Sequence, residues 1–181
     1  MEKKETSFSN NPLQQNHSPN KYNGRFGYNP EAIVLHICQG SYEGSLNWLK
    51  NPASKVSAHF LISDTSVISQ LVECKNSAWH AGVVVNPTWP LLKQNVNPNF
   101  YTLGIELAGF SKDLPTLSKI VTVSRLIRAL CNKFNIPVDL SHIIPHHAIN
   151  ANKTCPGPNI NIPNIVYCAS LPLDTSDMNF I

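Results

Sequence analysis

Between Ile143 and Pro158 the chain reads IIPHHAINANKTCPGP, which places His146, His147, Lys153 and Cys155 in a stretch otherwise rich in Asn, Ala, Pro and Gly. Imidazole nitrogen and thiolate sulfur are ligands of choice for zinc. Pro156 and Gly157 turn the chain directly after the cysteine and hold its sulfur in place. Lys153, two residues before it, can lower the thiol pKa electrostatically. On these residues alone Cys155 can be a metal thiolate, a nucleophile with a histidine as its base, or a buried structural thiol. The histidine pair favours the metal. A His–Cys gap of eight or nine is not a tight zinc-finger spacing, so other ligands must come from elsewhere in the chain.

Four further residues carry possible chemistry. His36 ends the apolar run AIVLHI, and His59 lies in the strand-like SAHFLIS; taken alone, each reads first as a hydrogen-bonded core histidine and second as a site residue. His80 follows Trp79 in AWHAG, a turn able to line a sugar or peptide groove. Glu106 is the single acid in LGIELAG. A carboxylate buried without a partner is expensive, so Glu106 either pairs with a lysine or caps a helix, or faces a polar cleft with its pKa tuned upward as a general base requires; the Leu-Ile-Leu setting favours the cleft. His17, in a polar segment, and His142, before a strand, carry no functional reading.

The elements that must position these groups are legible as patterns. Ala32–Ile37 is a short β-branched run, the mark of a buried strand. Leu46, Trp48 and Leu49 predict a short helix stopped at Asn51-Pro52. Two β-rich runs flank Asp64-Thr65-Ser66 and predict a hairpin without a turn glycine. The stretch from Val83 to Phe100 reads as a long loop. YTLGIEL is another buried strand. Thr116 can cap a long helix along which Leu117, Ile120, Val121, Ile127, Leu130, Cys131 and Phe134 recur. HIIPHH is a last strand ending at the histidine pair. The order strand, helix, strand, strand, strand, long helix, strand predicts a single α/β (α+β) domain with helices packed on a sheet. Residues 1–29 are expected to form a flexible or extended arm, 30–165 the folded domain, and 166–181 a tail of uncertain structure.

Composition bounds the function. The chain has 181 residues, 42% hydrophobic and 14% charged, with a formal net charge of +3. That length suits one domain. Without a Lys/Arg run, nucleic acid is not an expected partner. Five scattered cysteines are not a disulfide framework. The first twenty residues lack an apolar core, so they do not read as a secretory signal. No apolar run reaches about 20 residues, so membrane insertion is not expected.

AIVLHI, VSAHFLIS, AWHAG, LGIELAG and PHHAINANKTCPGP stand in the order found in zinc-dependent N-acetylmuramoyl-L-alanine amidases. Over about residues 30 to 160 the chain resembles that family, which includes phage lysozymes with amidase activity, muropeptide amidases and peptidoglycan-recognition proteins. The resemblance implies a central mixed β-sheet flanked by helices, with Zn2+ in a surface groove. It implies His36 and Cys155 as the first and third metal ligands. The second ligand histidine of the family is followed three positions on by an apolar β-branched residue; Ile149 satisfies this for His146 and leaves His147 as the alternate. Glu106 matches the catalytic acid of the muropeptide-amidase branch, and Lys153 the family lysine that stabilises the oxyanion. Trp79 and His80 would line the substrate groove, with His59 as a further substrate-binding candidate.

The implied reaction is hydrolysis of the amide between N-acetylmuramic acid and the L-alanine of peptidoglycan or muropeptides. Ala58 departs from the tyrosine of the lysozyme-like branch, and a cysteine ligand mixes features of both branches. The alternatives are a non-catalytic peptidoglycan-binding module on the same fold, and a metal-free hydrolase with Cys155 as nucleophile. The expected setting is synthesis in the cytoplasm. The enzyme then acts either on the wall after release through a pore made by another protein, as an endolysin does, or on cytosolic muropeptides.

Overall fold

The computed structural model describes residues 13–172. In chain order, two short extended pieces, β1 (Gln14–Gln15) and β2 (Lys21–Tyr22), precede strand β3 (Ala32–Ile37) and helix α1 (Tyr42–Lys50). The hairpin β4 (Phe60–Ile62) and β5 (Ile68–Gln70) follows, then β6 (Ser77–Ala78) and β7 (Thr102–Leu107). The long helix α2 (Leu117–Phe134), strand β8 (Ile143–Pro145) and helix α3 (Ile162–Ser170) complete the set. Six strands form one mixed sheet in the order β1-β5-β4-β7-β3-β8, while β2 and β6 make a separate antiparallel ribbon. Around the central β3 and β7 the pairing is parallel, and β4 with β5 is antiparallel. This is the mixed α/β domain expected.

β3 and β7 read as unbroken apolar runs because both faces of the central sheet are covered. Side chains still alternate across it. Ile33, Leu35 and Ile37 join Leu103, Ile105 and Leu107 on one face, packed with Val123, Leu126, Ile127 and Leu130 of α2 and Ile165 of α3. Ala32 and Val34 lie on the opposite face with Tyr101, Ile144 and Ile149. His36 and Glu106 are register partners in the parallel β3–β7 ladder. Alternation therefore puts both on that second face, away from α2 and α3.

Local signals explain the element ends. The Thr116 hydroxyl accepts from the Lys119 amide at the start of α2, and Asn135 closes it in the left-handed region at φ 54°. The buried side of α2 keeps the expected Ile127, Leu130 and Cys131, with Ile120 and Phe134 packed against them, and is wider than the sequence reading: Val123 and Leu126 belong to it, whereas Leu117 is 77% exposed. The reason is that α2 touches both the sheet and α3, and two charged residues are buried with it. Lys119 donates to the Ala108 carbonyl, and Arg128 to the Cys168 and Ala169 carbonyls at the end of α3. In the hairpin, Ser66 takes the positive φ (67°) that a glycine usually supplies. The Ser63 hydroxyl accepts from the Thr65 and Val67 amides and closes the turn.

Two expected boundaries move. Residues 1–12 and 173–181 lie outside the described residues, but 13–29 are an extended strap. β1 pairs with β5 at the sheet edge. Asn20 Nδ2 donates to the Asn51 and Val56 carbonyls, and buried Arg25 to those of Cys74, Phe100 and Thr102. At the other end, α3 runs through the boundary drawn at 165, its N-terminus capped by the Asn161 side chain.

Candidate active site

Three chain segments converge where β3 and β7 end. β3 delivers His36. After β8, a single 3-10 turn at His146–Ala148 delivers His146, and the following loop returns with Cys155. That loop is clamped from outside: the Val85 amide donates to Ile149 O, and the Thr88 and Trp89 amides donate to Ala148 O. The stretch from Val83, which looked featureless, thus holds the histidine turn in place. The Cys155–Pro156 bond is cis. The Gly157 amide donates to Thr154 O and closes the turn that carries the sulfur. Gly157 has φ 90°, and a Cβ there would meet Ser111 at 2.5 Å.

The donor atoms of His36, His146 and Cys155 all lie within 4.8 Å of one another. Cys155 Sγ is 3.2 Å from His146 Nδ1, and the His36 and His146 rings are 4.5 Å apart at their centroids. Burial, then the neighbouring His146 and His80, hold His36 well below the usual histidine range. Burial, then Lys153, lowers His146 to about 4. Both rings are therefore neutral at pH 7, the form that binds a metal. Burial pushes the Cys155 thiol up to about 11, so a thiolate there calls for an adjacent cation. Two imidazoles and one thiol, converging within a few ångströms, fit a zinc ion with one tetrahedral position left open.

His147 does not join them. Its ring is exposed, and its Nδ1 contacts the Cys155 carbonyl oxygen at 3.2 Å. Of the two candidates, His146 is the residue brought into the cluster.

Glu106 stands beside His36 and accepts from the Cys38 thiol at 3.3 Å. Burial pushes its carboxyl up to about 7, opposed by the Cys38 hydrogen bond and the positive charge of Lys153. Cys38 was not singled out from the sequence; its place two residues after His36 was the available signal. Lys153 is exposed, and with Glu106, His36, His146 and Cys155 it lines a groove of about 800 Å³. Trp48, Trp79 and Tyr22 line the same groove. The Trp79 and Tyr22 rings are 5.5 Å apart, so an aromatic wall faces the polar floor.

One expectation for the groove is corrected, and a second gains a further role. His59 is fully buried and is not among the groove-lining residues. Its Nδ1 accepts from the Gly104 amide at 2.9 Å, while its own amide donates to Gly104 O. The imidazole extends the β4–β7 ladder by one rung, and burial with the Arg25 charge lowers its pKa to about 3. His59 is a sheet residue, not a substrate contact. His80 lines the groove, but both its nitrogens are engaged: Nδ1 with His36 Nε2 at 3.1 Å and Nε2 with Thr102 Oγ1 at 3.2 Å. It stands behind a proposed ligand instead of offering a free nitrogen to substrate.

Comparison with known proteins agrees with this geometry. Residues 26–158 match the N-acetylmuramoyl-L-alanine amidase family. N-acetylmuramoyl-L-alanine amidase A of Achromobacter lyticus is 35% identical over 103 residues, which is 55% of this chain and 50% of that protein. The chain thus spans half the length of that curated relative. Among solved structures, a selenomethionine derivative of AmpD superposes with a TM-score of 0.73 at 22% identity, covering 90% of this chain and 97% of AmpD. The N-acetylmuramyl-L-alanine amidase AmiD from E. coli was solved with the substrate anhydro-N-acetylmuramic acid-L-Ala-D-gamma-Glu-L-Lys. It superposes with a TM-score of 0.64 at 22% identity, covering 77% of this chain and 57% of AmiD. These two likenesses bear on the fold. With a family match across most of its length, the chain belongs to the N-acetylmuramoyl-L-alanine amidases.

Proposed function

We propose that the chain is a zinc-dependent amidase that hydrolyses the bond between the lactyl group of N-acetylmuramic acid and the L-alanine of peptidoglycan or muropeptides. The observation that carries this is the convergence of His36, His146 and Cys155 beside a buried Glu106 on the floor of one groove. His36, His146 and Cys155 would hold the metal. When bound, zinc supplies Lewis acidity toward the scissile carbonyl and acidifies water toward neutrality.

The chain's own residues do the rest. Glu106, with its carboxyl near 7, takes a proton from the attacking water and returns it to the nitrogen of the departing L-alanine. A group titrating near the working pH serves in both directions. Lys153 brings a fixed positive charge to the oxygen on which negative charge develops. Trp48, Trp79 and Tyr22 offer apolar faces to the sugar or peptide. A second reading, a binding module without turnover, has no observation in its favour, because the ligand set and the acid are both present.

The test is direct. Purified protein should contain about one zinc per chain and release stem peptides from muropeptides; a chelator should stop release, and added zinc should restore it. Protein that binds no zinc and releases no peptide sinks the proposal. Intact walls and soluble muropeptides assayed side by side distinguish an endolysin from a recycling enzyme.

A further inference from the structure

His36 has two ring nitrogens, and in a neutral imidazole one carries the proton while only the other can take a metal. A row of hydrogen bonds leading away from the groove determines which. Thr102 Oγ1 lies 2.7 Å from the Pro98 carbonyl oxygen and 3.2 Å from His80 Nε2. A hydroxyl has one proton, and a carbonyl only accepts, so Thr102 donates to Pro98. Its oxygen then accepts from His80 Nε2–H. That leaves the lone pair of His80 on Nδ1, 3.1 Å from His36 Nε2. His36 must therefore donate from Nε2, and its Nδ1 is bare.

We propose that His80 and Thr102 are positioning residues that lock His36 in its Nε2–H tautomer and so present an unprotonated Nδ1 to the metal. The relay is built into the fold. The Asn99 side-chain oxygen accepts from the His80 and Ala81 amides at 3.1 and 2.8 Å and fixes the start of the turn. At Gly104 a Cβ would come within 2.6 Å of the His80 ring, so this glycine is the seat of the imidazole. Thr102, Gly104 and Glu106 occupy alternate positions of β7 and share a face. One strand thus supplies the anchor of the relay, the space for its middle member and the acid. Partners behind a metal-bound histidine fix its tautomer and orientation, and their loss typically lowers metal affinity about 10–100-fold.

The inference rests on the zinc reading of the site, and the test separates the two. Long-range proton–nitrogen NMR on 15N-labelled, metal-free protein reads the His36 tautomer directly. The Nε2–H form is expected, and an Nδ1–H majority overturns the relay without any variant being made. Zinc affinity is then measured by competition with a chromogenic chelator. Thr102→Val is expected to bind zinc about 10–100-fold more weakly and to mix the His36 tautomers, while Thr102→Ser, which keeps the hydroxyl, restores both. A Thr102→Val protein with parental affinity and an unchanged His36 tautomer overturns the proposal. Failure of the parent to bind zinc overturns the metal reading; a parent that binds zinc with His36 in the Nδ1–H form overturns only the relay.

Discussion

Strands β3 and β7 carry two faces of opposite character. On the helix side, Ile33, Leu35, Ile37, Leu103, Ile105 and Leu107 pack into the largest apolar cluster. On the other side the same strands present Val34, His36, Thr102, Gly104 and Glu106. One residue of shift along either strand exchanges the two. The helix face consists of large, interchangeable volumes. The groove face consists of small or polar residues whose individual atoms have named partners. The comparison teaches that stability and chemistry can be drawn from adjacent residues of one backbone with little shared machinery, and substitutions on the two faces should fail in different ways.

The sharpest way to break that separation is at the ligands. His146→Ala should abolish zinc binding and reduce amidase activity to background, measured by metal analysis and peptide release. Next in size, Glu106→Gln should lower kcat by about 10²–10⁴-fold with zinc retained. The same variant should gain stability. In the folded protein the carboxyl sits at about 7 against an ordinary 4.5. The stability it contributes is fully present below about 4.5 and is lost as pH rises through about 7. Glu106→Gln removes that loss. In metal-free protein its melting temperature should exceed the parent's at alkaline pH and converge with it under acid conditions.

On the other face, Ile105→Ala should destabilise by about 2–5 kcal/mol by denaturant titration, with kcat per folded molecule unchanged. A large kcat loss there would show that the two faces are coupled. The smallest effect is expected from His147→Ala, which should keep zinc stoichiometry and activity at parental values. If it loses the metal and His146→Ala keeps it, the ligand assignment is one residue out.

Much of this was readable in the residues. The β-branched runs around His36 and Glu106 gave both strands, because a strand buried on both faces leaves a dense apolar signature. The resemblance to the family motif, through Ile149, selected His146, and Pro156-Gly157 marked the turn that holds Cys155. What stayed hidden depends on contacts between distant segments. The family motif suggested a site role for His59, yet its ring is a buried ladder acceptor for Gly104, the hydrogen-bonded core role that its strand setting favours, though no local pattern names the partner. His80 and Thr102 are 22 residues apart, so their hydrogen bond has no spacing to recognise. The helix α3 was missed because its apolar face has meaning only against α2. The buried face of α2 is wider than its apolar pattern because Lys119 pairs with Asp64 and the Ala108 carbonyl, and Arg128 bonds carbonyls at the end of α3.

The strap that ends near Arg25 bears on how portable the catalytic unit is. The family match begins at residue 26, one position after the guanidinium that serves the carbonyls of Cys74, Phe100 and Thr102. A chimera that borrowed only residues from 30 onward would strand these buried acceptors, each such loss costing about 1–3 kcal/mol. One of them belongs to Thr102 itself. A transplant should therefore begin ahead of β1, so that the edge strand and Arg25 travel with the groove they brace.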